Sequence, residues 1–338
     1  MNAKERLLSL LQGNQVDRPP VVCPGGMMNM INKDIQTIAG INYEEAHWDA
    51  EKMVGLAMAV VREGVFENYG VPFDMTAESE DMGAEVDLGT DIYEPHISSY
   101  PIKSAAHYKI LQPLDFSKGR CKVVLDAIRL LKEKGDPGIP VIGNLTGPFS
   151  TAGSVMEPVD FYKELIRKRE AAHEYMGFIT EQLIAFALKQ VEAGADIISI
   201  SDPTATGELL GPKLFVEYAV PYLNQLLEAL PEEVFTIVHI CGRMQSVLKE
   251  FDEVKADALS FDAYVPISLI KEVLPHRLVM GNVSTYALEF QEAEKIRALT
   301  RNTIESGTDI VAPACGIGMK TPLANLKALL EEVKSESK

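Results

Sequence analysis

An α/β fold, a TIM (β/α)8 barrel with an N-terminal helical extension, is what this sequence predicts, and three observations carry the prediction. Short apolar runs alternate with amphipathic stretches of helical period along the whole chain. Eight runs of this kind can be counted across the 338 residues. Several are rich in Val and Ile without polar alternation, the pattern of parallel strands covered on both faces. Eight buried strands separated by helices close most simply into a barrel, here a single domain spanning residues 1–338.

The elements follow in order. The opening MNAKERLLSLLQGN sets Leu7, Leu8, Leu10 and Leu11 among polar residues, an amphipathic helix ahead of the first strand. Candidate strands are PPVVC (19–23), VPFDM (71–75), PVIGNL (140–145), ADIISIS (195–201), TIVHI (236–240), ADALSF (256–261), RLVMGNV (277–283) and DIVAPA (309–314). Helical period fills residues 43–67, 158–192, 242–251 and 288–306, and Gly194 stands where the longest of these should stop. Residues 76–110 break the rhythm and carry Glu78, Glu80, Asp81, Glu85, Asp87 and Asp91. An inserted loop or hairpin over one end of the barrel is expected there, its acids a solvated face rather than a metal site.

Charge and cysteine content exclude several classes. A net charge of −17, from 49 acids against 32 bases, is unsuited to a nucleic-acid surface. No stretch approaches the ~18 consecutive apolar residues of a membrane span. The N-terminus lacks the apolar core of a signal peptide, and a cytoplasmic protein is expected. Four cysteines are too few for a disulfide scaffold, so the thiols are metal ligands, nucleophiles or core residues.

Chemistry concentrates in TIVHICGRMQS (236–246). Residues i and i+2 of a strand point to one side, so His239 and Cys241 can both face the barrel mouth, where such folds place their active sites. Cys315 follows the last strand in IVAPACGIGMKTP and can reach the same mouth. One imidazole and two thiolates make a three-ligand zinc site with an open position, as catalytic zinc requires. Such a centre is formally neutral, and a bound substrate thiol leaves it negative and electron-rich at sulfur. That favours alkylating a thiol over hydrolysis, although alcohol dehydrogenases share the ligand set. The plain alternative is three ordinary residues at strand ends.

With DRPPV near the start, GNLTGPFS (143–150), GADIISISDP (194–203), MGNVS (280–284) and ACGIG (314–318), the chain resembles the uroporphyrinogen decarboxylase superfamily over nearly its whole length. His239-x-Cys241 with Cys315 is similar to the zinc motif of its corrinoid-dependent branch, the methylcobamide:coenzyme M methyltransferases and their relatives. The resemblance implies a TIM barrel, zinc held by His239, Cys241 and Cys315, and a methyl group drawn from the cobalt of a corrinoid on a partner protein. No DxHxxG stretch of a cobalt-binding protein is present in the chain itself. The superfamily's decarboxylases carry paired arginines after the first strand, whereas this loop reads CPGGMMNMINK. Decarboxylation of uroporphyrinogen is therefore the least favoured activity.

Other residues carry double readings. Asp262 ends its strand beside His239 and Cys241; it would fill the fourth zinc position, orient His239, or cap the following loop. Asp202, in SISDPT, would hydrogen-bond a substrate or form an Asp-Pro turn. Gly316, Gly318 and Lys320 precede a helix start and would cradle an anion such as the sulfonate of coenzyme M, or form a tight turn. Met27, Met28 and Met30 would pack on a corrin face or in the core. Cys23 ends the first strand without a partner at ligand spacing, Cys121 is inert, and His47, His96, His107, His173 and His276 are assigned nothing. The function expected is transfer of methyl from a methylated corrinoid protein to a thiol, coenzyme M first, with no nucleic acid and no membrane involved. The alternatives are a different acceptor, as in bacterial one-carbon metabolism, and a non-catalytic barrel that binds corrinoid or tetrapyrrole.

Overall fold

The computed structural model of the chain describes residues 1–335. Its strands are β1 (Tyr69–Val71), β2 (Glu85–Asp87), β3 (His96–Ser99), β4 (Val141–Thr146), β5 (Ile197–Ser201), β6 (Phe235–Ile240), β7 (Ala258–Phe261) and β8 (Leu278–Met280). Six of them form one parallel sheet in the order β1-β4-β5-β6-β7-β8. Two further extended runs complete the ring. Ile310 bridges Met280, Pro313 bridges Val283, and Val311 bridges Val21, all in parallel. The amide of Val22 donates to Val311 and that of Val311 to Pro20, each at 2.9 Å. On its other side the first run meets Glu67, whose amide donates to Val21 at 2.9 Å. Asn68 continues that ladder with its side chain, accepting from the Cys23 amide at 2.9 Å and donating to the Cys23 carbonyl at 2.8 Å.

The expected barrel is thus present, with all eight apolar runs in its wall. Every residue of β4, β5 and β7 is buried, so their few polar residues, Asn144, Thr146, Ser199, Ser201 and Ser260, face the interior rather than solvent. The second run is displaced: β1 covers Tyr69–Val71 and stops before Pro72, which has no amide to give the ladder. The expected long helices are each broken in two. Residues 43–67 divide into Tyr43–Ala46 and Ala50–Arg62, because Asp49 restarts the helix by accepting the amides of Glu51 and Lys52. Residues 158–192 divide into Pro158–Arg167 and Arg169–Ala193 at a non-helical Lys168, and the second ends at Gly194 with φ 108°.

The acidic insertion does contain a hairpin, β2 paired antiparallel with β3. Its acids divide. Glu85 and Asp87 are exposed, but Glu78 is buried, accepts the Thr146 amide at 2.8 Å, and is pushed up to about 7 by burial. Near it Arg120, 1% exposed, donates to Asp74 at 2.5 Å and to Glu80 at 3.1 Å, while His47 Nδ1 lies 2.9 Å from Asp74. Burial would raise the Asp74 carboxyl, but Arg120 and His47 outweigh it and hold it well below the ordinary carboxylate range. Among the described residues no helix is long and apolar enough to cross a membrane.

Candidate metal centre at the barrel mouth

β6 delivers the centre. His239 is its penultimate residue and is completely buried; Cys241 lies just beyond Ile240, half-buried. Gly242 then turns the chain with φ 79°, a conformation suited to glycine. Its amide donates to Asp262 Oδ2 at 3.1 Å, which fixes the turn carrying Cys241. Cys315 arrives from the other side of the ring, just past the run that closes it.

The three side chains converge. His239 Nε2 is 2.9 Å from Cys241 Sγ, and Cys241 Sγ is 3.0 Å from Cys315 Sγ. One ligand atom from each lies within 4.8 Å of the other two. The thiols share a proton unevenly. Cys315 is drawn well below the ordinary thiol range by the hydrogen bond from Cys241 and then by His239; Cys241 is pushed up by giving that bond and by burial. Two sulfurs and an imidazole nitrogen, with no carboxylate in the set, are soft and borderline donors that fit zinc. Within the group His239 is buried and Cys315 is half-buried, so Cys315 marks the side of the centre nearest solvent.

The remaining expected residues are placed as follows. Asp262 is outside the donor group: Oδ2 takes the Gly242 amide and Oδ1 the Tyr264 amide at 3.3 Å, so both oxygens serve turns. Asp202 is fully buried and accepts the amides of Phe149 and Ser150 at 3.2 and 2.7 Å, at the start of the helix Pro148–Val155. Burial pushes its carboxyl up to about 6. Cys23 donates to the Met28 carbonyl at 3.0 Å and, fully buried, stays a thiol. Met28 and Met30 are buried completely, so of the loop methionines only Met27 is partly exposed.

Gly316, Gly318 and Lys320 line a cavity of about 380 Å³ that begins one residue past Cys315. The acidic insertion supplies its other wall with Ile92, Tyr93 and Glu94, and Glu289 completes it. Glu289 lies so close to Gly318 that any side chain there would collide with its carboxylate. The following helix, Leu323–Ser335, has its Leu323 amide taken by Asp34 Oδ2 at 3.0 Å. Among the described residues that line this cavity Lys320 is the cation, set against the carboxyl groups of Glu94 and Glu289.

Sequence reasoning missed Glu94, Glu289 and Ser260. The first two lie far along the chain from Cys315 and carry no local motif. Ser260 pairs in register with His239 across β6 and β7, and its Oγ is 2.8 Å from His239 Nδ1. Only its period-two spacing from Asp262 hinted at an inward position.

Comparison with known proteins adds a lineage. Residues 2–336 match the family model for uroporphyrinogen decarboxylase (URO-D). The methylcobamide:CoM methyltransferase MtbA of Methanosarcina acetivorans is 32% identical, covering 98% of this chain and 97% of that protein. MtaA of Methanosarcina barkeri, also a methylcobamide:CoM methyltransferase, is 31% identical over 97% and 96% of the two chains. A solved methyltransferase from Methanosarcina mazei superposes with a TM-score of 0.91 at 29% identity, each chain covered completely.

Proposed function

The chain belongs to the uroporphyrinogen decarboxylase family, and on that footing we propose that it is a zinc-dependent, cytoplasmic methyltransferase that moves a methyl group from a methylated corrinoid protein to the thiol of coenzyme M. Its class, an enzyme of methyl transfer, follows from relatives that match it nearly end to end. The observation that carries the finer reading is the convergence of His239, Cys241 and Cys315 within 4.8 Å of one another just past the ends of their strands.

When bound, zinc would supply a Lewis acid that lets an acceptor thiol lose its proton near neutral pH. The chain's own part is to hold two sulfurs and one nitrogen so that a fourth position stays open. Asp262 fixes the turn that carries Cys241, and Ser260 pairs with the far nitrogen of His239. The neighbouring cavity receives the rest of the acceptor, and Lys320 meets its charged end. In the balanced reaction the thiol gains the methyl group and releases a proton, and the corrinoid returns to its two-electron-reduced, methyl-free form.

A second reading changes the acceptor only. Glu289 shares the cavity with Lys320 and would disfavour a sulfonate, and Glu94, pushed up to about 7 by burial, adds its charge only as pH rises, so a thiol without a sulfonate is the competing substrate. The decarboxylase reading lacks its arginines in the 23–33 loop.

The test supplies zinc-loaded protein with methylcobalamin and a panel of thiols, following loss of the methylcobalamin absorbance and formation of the methyl thioether. Methylation of coenzyme M by wild type, abolished in Cys241→Ala, supports the reading. Methylation confined to other thiols favours the second reading, and no transfer to any thiol overturns both.

A further inference from the structure

Ser260 is fully buried and stands between two neighbours. Its Oγ lies 2.8 Å from His239 Nδ1 on one side and 3.8 Å from Met28 Sδ on the other. His239 and Met28 are also fully buried, so water does not compete for these groups. A serine hydroxyl has one hydrogen to give and lone pairs to receive; a thioether can only accept, and weakly. The triad therefore has two arrangements.

In one, the hydroxyl donates to Nδ1. The imidazole then carries its hydrogen on Nε2, pointed at Cys241 Sγ, and has no lone pair for a metal. In the other, the hydroxyl donates to Met28 Sδ and Nδ1–H donates to Ser260 Oγ. Nε2 then presents its lone pair towards both cysteines. Only the second arrangement gives all three buried groups a partner. Met28 takes the hydroxyl hydrogen and thereby breaks the symmetry of the Ser–His contact.

We infer that Ser260 and Met28 form a positioning pair that selects the metal-binding tautomer of His239, with Ser260 as the acceptor of Nδ1–H. Ser260 touches neither metal nor acceptor thiol; it acts through the imidazole. The inference rests on the proposed metal centre, and reaches residues outside the ligand set. It also gives Met28 a role inside the core, in place of the corrin contact considered for that loop.

The test compares Ser260→Thr with Ser260→Val, side chains of nearly one shape that differ in the hydroxyl. Zinc affinity is read by competition with a chromophoric chelator, and the position of the imidazole hydrogen by nitrogen-15 NMR of the zinc-loaded protein. Ser260→Thr is expected to stay near the wild-type affinity, and Ser260→Val to fall by about 10–100-fold. Met28→Leu should fall between them, and a slowly exchanging Nδ1–H should be seen in wild type and lost in Ser260→Val. Thr and Val variants that fold alike and bind zinc equally well overturn the inference alone. A wild type that takes up no zinc overturns the metal centre and the inference with it.

Discussion

The backbone amide of Gly242, the residue after Cys241, is held by Asp262 Oδ2 at 3.1 Å. Asp262 thus meets the candidate metal centre through the chain that carries it. Asp262→Ala should leave zinc content near that of wild type while costing about 1 kcal/mol of stability for the lost amide acceptor. Asp262→Asn, which keeps an accepting oxygen, should recover part of that loss. Metal analysis beside chemical unfolding decides the matter: zinc lost from both variants would make Asp262 a ligand.

Removal of one thiol reports on the centre directly. Wild type should carry about one zinc per chain and Cys315→Ser much less, since two remaining ligands do not hold zinc tightly. Mass spectrometry of samples prepared identically supplies the comparison. Equal zinc in both would mean that the metal lies elsewhere.

The cavity proposed for the acceptor sets Lys320 against the carboxyl groups of Glu289 and Glu94. Lys320→Ala should raise the KM for coenzyme M by about two- to fivefold, and Glu289→Gln should lower it by a similar factor. Both effects should shrink as salt rises, because Lys320 is exposed. Steady-state kinetics at two ionic strengths would show it; unchanged KM values in both variants would remove the acceptor from this cavity.

Asp202 gives a pH dependence with a definite sign. Its carboxyl moves from 3.8 to about 6 in the folded chain because it is buried. Between those values the folded state keeps a proton that the unfolded state has lost, so stability falls as pH rises through the window. The shift corresponds to roughly 3 kcal/mol. Asp202→Asn has no such titration, so its stability relative to wild type should improve by about that amount between about pH 4 and pH 7. Unfolding curves at the two pH values that show a constant difference would contradict this account.

Arg120 is buried against Asp74, Glu80 and Thr76. Arg120→Met should destabilise the fold by about 3–5 kcal/mol, because it leaves Asp74 buried without its arginine, beside His47 and the Thr76 amide and hydroxyl. Denaturant titration measures the loss. A variant as stable as wild type would show that His47 and Thr76 suffice.

The wall of the barrel was legible because buried parallel strands are predominantly apolar, and seven of the eight runs lie where the apolar clusters put them. β1 was displaced because its start, Tyr69-Gly70, has no β-branched signature, while the VPFDM run that drew attention begins at the strand's end. The helix break at Lys168 was invisible, since residues on both sides keep helical composition and the turn is made by backbone angles alone. His239 and Cys241 were readable from the period of a strand. Their convergence with Cys315 required only the closure of the ring. Ser260 and Glu94 were not readable, because one acts across a strand register and the other reaches the mouth from a distant insertion. Asp202 and Asp262 carried two readings each in the sequence, because carboxylates at strand ends are also what loop and helix amides require.

The ring closes where Val311 is laddered to Pro20 and Val22, and Cys315 follows four positions later (315 − 311). A growing chain therefore exposes His239 and Cys241 while the third ligand, 74 positions further on, has still to be synthesised. Even then Cys315 reaches its place only when the first and last runs of the wall meet. If zinc occupies the centre as proposed, nascent or truncated copies hold only two of its three ligands and would surrender it more readily than finished copies. Zinc retention would then be a certificate of completion, issued once the two ends of the barrel wall have joined.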